Sequence, residues 1–353
     1  MLKAGFLPSV IDETFTSWIF RCMSHSPAVA MALTGVHVRG QSGRFVGEWL
    51  YEDPDFDPRS FFYRFVAERV FLEEESLPEI MTSTAKSLLP WHRRLLFCAD
   101  CLRNDVQEGR LPSWRRGWCY TSSSFCLHHM VQLQFFSGGS HLDKAWRAFS
   151  QESGAIIEGF HSKDYTVWMT GPVHIEKIRF LDKISTWQTK SAGSDACDLD
   201  VQALECFELV LKILLQAPTH VSIGGPAWQI SHWGRGAQRL SRFRVPYASS
   251  IEIGIVEAKI NERICALILA AKIFSIISDE DFLSFTEKAG GLFPYFELSN
   301  FKLGECCAGY RNESEYCYVK NQASRFILSL LGKGVVDFFA GYSAVWLRNQ
   351  QLR

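Results

Sequence analysis

Residues 98–101 read CADC and residues 126–129 read CLHH, with 24 residues between the two stretches. Each stretch holds two residues that can bind a metal ion, separated by two others, so both side chains of a pair can reach one ion from the same side. Two such pairs complete a tetrahedron, and three thiolates with one imidazole form a closed structural zinc site. The alternative is a chance grouping of buried thiols, since the chain has 11 cysteines. We expect one structural Zn²⁺ bound by Cys98, Cys101, Cys126 and His129.

A closed zinc site favours a binding protein over an enzyme, because four protein ligands leave no coordination position for a substrate. His174 and Glu176 form an H-x-E pair, but the C-x2-C stretch precedes this pair. Zinc deaminases carry a P-C-x2-C stretch after theirs, so that class is excluded on the order of the motifs. The sequence also lacks a convincing phosphate-binding loop or serine-hydrolase motif. We therefore predict no catalytic residues.

The composition is that of a folded, globular protein. The chain has 353 residues, of which 47% are hydrophobic and 21% charged, enough for two or three domains. Its net charge of −1 means that any nucleic-acid contact must come from local patches. An odd number of cysteines without a signal peptide before them predicts a cytoplasmic protein with free thiols. The apolar stretch 264–277 is too short to span a membrane and predicts a buried helix, so we expect no membrane partner.

Hydrophobic spacing predicts a mainly α-helical fold in three domains. Residues 1–90 should form short helices arranged like a helix-turn-helix domain, the first capped by Asp12 and running to Ser26. Residues 91–136 form the small zinc-binding module. Residues 137–353 form a mostly helical C-terminal bundle. Within it we expect helices at 256–277, at 279–288 with Ser278 as the cap, at 322–331 and at 335–348.

Arginines and tryptophans crowd the metal segment. Three acids, Asp100, Asp105 and Glu108, offset half of the six arginines there. Arginines beside aromatic residues on a small metal module suit contact with phosphates or docking to a protein. A solvated charged face is the alternative. The candidates for nucleic-acid or partner binding in this segment are Arg93, Arg94, Arg115 and Arg116.

A second basic stretch, 228–247, carries four arginines and no acid. Three of them fall at i, i+4 and i+7, which would place them on one face of a helix. Such a face could follow a nucleic-acid backbone or an acidic partner, and a solvated face is again the alternative. These candidates are Arg235, Arg239, Arg242 and Arg244.

Several motifs together resemble the TniQ/TnsD family, the target-selecting proteins of Tn-seven-like transposons. The N-terminal motif is P-x4-E-x3-SW-x2-R, from Pro8 to Arg21. The family then shows an aromatic-C-P-x-C-L element, an R-x-x-W element and a C-x2-H-x3-L element in this order. The corresponding stretches here are FCADCL at 97–102, RRGW at 115–118 and CLHHMVQL at 126–133.

The resemblance covers roughly residues 5–135, and two departures limit it. Ala99 stands where the family usually has proline. Many members also carry a second cysteine-rich finger, whereas residues 130–196 contain no cysteine, so that finger is absent or metal-free. The C-terminal half resembles the family only in being helical.

The resemblance implies a factor that chooses a transposition target and does not cut or join DNA. Family members read target DNA directly, or dock as a dimer on a CRISPR-associated, RNA-guided Cascade complex, and then recruit an AAA+ ATPase that brings the transposase. We therefore expect a homodimer with a Cascade-type guide RNA complex or target DNA, and an AAA+ ATPase, as partners. The short length with one finger favours the Cascade-associated kind. The competing hypothesis is a zinc-containing, sequence-specific DNA-binding regulator without transposon partners.

Overall fold

The computed structural model describes residues 6–33, 52–70, 87–158, 172–193, 195–220, 222–231, 244–288 and 299–351. These residues are mainly helical, which confirms the predicted fold class. The chain divides into two compact units, Met1–Lys163 and Asp164–Arg353. Within the described ranges, no helix is both long enough and apolar enough to cross a membrane.

The first unit combines helices with two small antiparallel sheets. Strand β1 pairs with β4, and β2 pairs with β3. Short 3-10 turns lie at Trp91–Arg93 and Arg116–Trp118. The strands are β1 (Leu96–Phe97), β2 (Phe125–Cys126), β3 (Val131–Gln132) and β4 (Gln134–Phe135). The helices are α1 (Phe15–His25), α2 (Pro27–Ala32), α3 (Phe61–Val70), α4 (Ala99–Gln107) and α5 (Lys144–Glu158).

Helix α1 forms because its apolar residues recur on one face, as the spacing predicts. Phe15 and Trp18 on that face are buried and pack with Phe62 of α3 in one core cluster. The helix begins after Thr14 rather than at the predicted cap, Asp12. Asp12 has a positive φ of 61° and its carboxylate accepts the backbone N–H of Gly117 instead.

The predicted helix-turn-helix arrangement of residues 1–90 stays a prediction. It extends over residues 34–51 and 71–86, which lie outside the described residues. The predicted domain boundaries after residues 90 and 136 also stay predictions. Contacts in the first unit nevertheless cross both positions. The backbone N–H of Thr14 donates to the Trp114 carbonyl at 2.9 Å, and Lys144 of α5 lies over the Trp114 ring.

The second unit is built from helices in its described residues. Helix α10 lies at its centre, because every residue from Glu262 to Ala271 is buried. A 3-10 turn at Leu328–Leu330 precedes the last helix. The helices are α6 (Pro172–Ser191), α7 (Asp198–Leu214), α8 (Pro226–Ser231), α9 (Tyr247–Glu257), α10 (Ile260–Ile273), α11 (Asp279–Lys288), α12 (Asn300–Cys306), α13 (Glu313–Ala323) and α14 (Lys333–Gln351).

Of the four helix predictions in this unit, two are wrong and two are confirmed, since α14 contains the whole of the predicted helix 335–348. The predicted helix 256–277 is broken, because Ala258 and Lys259 are extended and the Arg263 guanidinium donates to the Ala258 carbonyl at 3.0 Å. The predicted helix 322–331 is also absent, since α13 ends at Ala323. Helix α11 has the predicted bounds, and the Ser278 hydroxyl accepts the Asp281 N–H at 3.2 Å.

Helices α12 and α14 pack with their backbones in close contact. A Cβ added at Gly304 would lie 2.0 Å from the Phe338 carbonyl oxygen, and one at Gly341 would lie 1.9 Å from that of Phe301. Only glycine permits this approach, so these two positions fix how the last helix sits on its neighbour.

Candidate metal centre

Two local structures bring the predicted metal ligands together. Cys98 follows β1 and immediately precedes α4, and Cys101 lies in the first turn of that helix. Cys126 ends β2, and His129 lies in the turn that leads from β2 to β3. The four ligand atoms all lie within 4.8 Å of one another. The structure therefore confirms that these four residues form one cluster that could hold a metal ion.

The spacing of the ligand atoms matches a tetrahedral ion. With zinc–sulfur bonds of about 2.3 Å and zinc–nitrogen bonds of about 2.0 Å, tetrahedral edges are roughly 3.8 Å between sulfurs and roughly 3.5 Å between sulfur and nitrogen. The Sγ atoms of Cys101 and Cys126 are 3.6 Å apart. Nδ1 of His129 lies 3.5 Å from Sγ of Cys98 and 3.3 Å from Sγ of Cys101. A disulfide would need about 2.05 Å between sulfurs, so the thiols are free.

The electrostatics of the cluster also suit a cation. All three cysteines are buried, and two of them lie at the N-terminus of α4, where the helix dipole favours thiolates. Hydrogen bonds from Cys101 and Cys98 lower the pKa of the Cys126 thiol, whereas the bond to Cys126 and burial raise the pKa of Cys101. The thiols thus share protons that a bound cation would displace. Three sulfurs and one imidazole fill a tetrahedron, so the donor set fits a closed structural Zn²⁺ site.

The N-terminal motif residues form a buried hydrogen-bond network against the metal segment. Glu13 accepts from Ser17 at 3.0 Å and from Arg21 at 2.6 Å. The Ser17 hydroxyl in turn accepts the Trp114 N–H at 2.9 Å. Trp18 is buried in the core and its indole N–H donates to the Leu7 carbonyl, as its apolar-face position predicts. These residues therefore fix the N-terminal helices to the metal segment, and Arg21 is neither solvated nor exposed to phosphate.

A second buried network centres on Arg94, and it overturns one predicted contact. The Arg94 side chain is 1% exposed and donates to Asp53 at 2.8 Å and to the Leu89 carbonyl at 2.8 Å. Asp55 accepts from both the backbone and the hydroxyl of Thr16 on α1. A nucleic-acid phosphate cannot reach this guanidinium, so the assignment of Arg94 to a nucleic-acid or partner contact is wrong. Its role is to join the loop 52–60 to the metal segment.

The other three arginines predicted to make contacts in this segment, Arg93, Arg115 and Arg116, differ in how far they are buried. Arg115 is mostly buried and donates to Asp105 at 2.8 Å and to the Ser113 hydroxyl at 2.6 Å. Its guanidinium is thus engaged inside the first unit. Arg93 is exposed on a 3-10 turn, and the guanidinium of half-buried Arg116 lies 5.6 Å from the centre of the Phe56 ring. Contacts by these residues stay predictions.

The basic face of the stretch 228–247 falls largely outside the described residues. Arg235, Arg239 and Arg242 lie in 232–243, which the structure does not describe. Arg244 is described and is exposed at the start of the segment that leads into α9. The predicted helical face therefore stays a prediction.

The residues that the sequence analysis missed are buried charged partners. Asp53 and Asp55 belong to the stretch 51–58, which holds four acids and two prolines but no motif that points to their partners. Lys144 is also buried, donates to the Arg94 carbonyl at 3.4 Å and lies 4.7 Å from the centre of the Trp114 ring. An acid-rich stretch that precedes a segment with more arginines than acids was the available signal, but it did not identify the pairs.

Comparison of the chain with protein-family models, with curated proteins and with solved structures finds no match. What the site defines by itself is a class: a helical protein with a buried cluster of three cysteines and one histidine that could bind a metal ion.

Proposed function

We propose that this chain is a non-catalytic target-selection factor for DNA transposition, with one structural Zn²⁺ in the cluster of Cys98, Cys101, Cys126 and His129. It would link recognition of a target to an AAA+ ATPase and a transposase. In this proposal the target is presented by a Cascade-type guide RNA complex or read directly as DNA, and the protein acts as a cytoplasmic homodimer.

One observation carries the proposal. Two of the motifs that resemble the TniQ/TnsD family are far apart in sequence: the N-terminal motif and the element at 115–118. They are in direct contact in the structure. Glu13 forms an antiparallel bridge with Arg115, and the Arg116 N–H donates to the Asp12 carbonyl at 2.6 Å. The metal cluster lies in the same unit. This contact between the two motifs is the observation that supports the proposal.

The closed donor set supports a role without catalysis. Four protein ligands fill the positions of a tetrahedral zinc ion, so neither water nor substrate has a place on the metal. The metal therefore stabilises the module, and recognition falls to its surface. Arg93 is the exposed member of the predicted contact set beside this segment.

Co-purification tests the proposal. The tagged full-length protein is co-expressed with an AAA+ ATPase and Cascade subunits encoded beside a transposase, and we expect the ATPase and the guide complex to elute with it. Arg93→Glu should weaken this association. Arg59→Glu, which makes the same charge change at a side chain that is 92% exposed in the loop before α3, should not.

The regulator hypothesis predicts a different result. A protein that binds a specific duplex tightly by itself, retains that binding at about 200 mM salt and associates with neither ATPase nor guide complex would contradict target selection through partners.

A further inference from the structure

His129 uses its two ring nitrogens for two different contacts. Nδ1 faces the cluster, 3.3 Å from Sγ of Cys101 and 3.7 Å from Sγ of Cys126. Nε2 points the other way and lies 2.9 Å from Nδ2 of the Asn104 side-chain amide. The imidazole is therefore held between the proposed metal position and one polar side chain.

The chemistry of imidazole decides what Asn104 must do. A neutral histidine that binds a metal through Nδ1 carries its ring proton on Nε2, and that N–H needs an acceptor. The Asn104 amide offers one through Oδ1, its oxygen. In the structure Nδ2 faces Nε2, so a metal-bound His129 requires the amide turned by 180° about its Cβ–Cγ bond, which exchanges Oδ1 and Nδ2 and puts the acceptor next to Nε2.

We propose that Asn104 is a positioning residue of the metal centre: its amide oxygen accepts the Nε2–H of His129 and thereby directs Nδ1 to the metal. The inference rests on the proposed zinc site. The C-x2-H spacing alone does not determine which ring nitrogen of His129 binds the metal. The proposal assigns that choice to Asn104, an uncharged residue outside the ligand set.

The position of Asn104 on α4 makes it suited to this role. Cys101 lies three residues earlier on the same helix, so one rigid element presents both a ligand and the acceptor that orients another ligand. Helix α4 is itself anchored, because the buried carboxylate of Asp105 accepts from the backbone N–H of Ser113 at 3.0 Å and from Arg115 at 2.8 Å. The ring of His128 lies edge-on to that of His129, with 4.5 Å between the ring centres.

The test begins with the unaltered full-length protein loaded with Zn²⁺ and labelled with ¹⁵N at histidine. Two-dimensional ¹H–¹⁵N spectra distinguish a metal-bound Nδ1 with a protonated Nε2 from the reverse. The His129 signal is identified by its loss in His129→Cys, which keeps four ligands. We expect Nδ1 on the metal and a proton on Nε2. Binding through Nε2 would overturn the proposal without any variant of Asn104.

Zinc affinity, measured by competition with a chelator, supplies the second readout. Asn104→Leu removes the acceptor and should weaken binding about 10- to 100-fold. Asn104→Asp restores an acceptor and should return affinity to within a few-fold of the unaltered protein. Gln107→Leu, an exposed change on the same helix, serves as the control and should have no effect.

The outcomes separate this inference from the zinc proposal. Unaltered affinity in Asn104→Leu, or no recovery in Asn104→Asp, refutes the positioning role while leaving the zinc site in place. Folded protein that takes up no zinc at all refutes both.

Discussion

Replacing Arg21 by methionine is expected to destabilise the first unit by about 3–5 kcal/mol, the usual cost of breaking a buried ion pair from one side. Arg21 and Glu13 are each 2% exposed, and Nη1 of Arg21 lies 2.6 Å from Oε2 of Glu13. Without Arg21, the Glu13 carboxylate keeps only the Val10 N–H at 2.9 Å and the Ser17 hydroxyl at 3.0 Å as donors. Burial already raises the pKa of Glu13 despite the attraction of Arg21. Without Arg21, little would offset the free-energy cost of keeping the charged carboxylate buried.

The assay follows release of Zn²⁺ to a chromogenic chelator during urea unfolding, because the Glu13 network joins α1 to the metal segment. Arg147→Met is the matched control: Arg147 is 51% exposed, pairs with Asp143 at 2.8 Å in the same unit, and should cost less than about 1 kcal/mol. The double change Arg21→Met with Glu13→Leu should recover most of the loss, since apolar replacement of a whole buried pair is often neutral. An Arg21→Met loss no larger than that of the control would refute the reasoning.

Three further outcomes are expected. Cys101→Ser should lose zinc and solubility together, because a structural site contributes folding free energy directly; metal analysis of the soluble fraction checks this. Lys177→Met should stabilise the second unit by about 1–3 kcal/mol at pH 7. Burial lowers the pKa of Lys177 from 10.5 to about 8, so its stability cost is full below pH 8 and disappears above about pH 10.5. Urea unfolding at pH 7 and pH 10 should therefore show the variant's advantage shrinking as pH rises; an advantage that is constant with pH would contradict it. Burial raises the pKa of the Cys206 and Cys265 thiols to about 12, so these two groups destabilise the folded protein as the pH rises above 9. The variant must therefore be compared with the unaltered protein at each pH. Finally, with a net charge of −1 the purified protein should bind duplex DNA weakly, with strong salt dependence, and should not nick it; a divalent-metal-dependent nicking activity that tracks with the pure protein would contradict this.

The metal cluster could be predicted from sequence because its geometry is largely local. Two ligands three residues apart fix half of the site in each case, and the chain needs only to fold the two halves together. The buried face of α1 could also be predicted from the sequence, since Phe15, Trp18 and Ile19 recur with the period of a helix. The confirmed cap of α11 by Ser278 is local in the same way.

The buried networks could not be predicted because their partners are remote in sequence. Asp53 meets Arg94 across 41 residues, and Ser17 meets Trp114 across 97. The local sequence around an arginine does not show whether the side chain lies on the surface or forms an ion pair in the core. Arg94 was assigned to the wrong environment for this reason.

The helix errors have a similar cause. Residues 264–277 are apolar apart from Lys272 and Ser275, and the polar residues before them are compatible with a helix, so the spacing did not reveal the break. The break depends on the Arg263 guanidinium reaching back to the Ala258 carbonyl. The apolar spacing of 322–331 predicted a helix, yet Leu328–Leu330 forms only a 3-10 turn with no buried residue.

X-ray absorption at the zinc edge of the purified, metal-loaded protein tests the central claim most directly, namely that the four residues form a closed structural site. The account predicts one Zn²⁺ per chain with three sulfurs at about 2.3 Å and one nitrogen at about 2.0 Å, and no oxygen. Folded protein without zinc, or a first coordination shell with fewer than three sulfurs and a bound water, would contradict it.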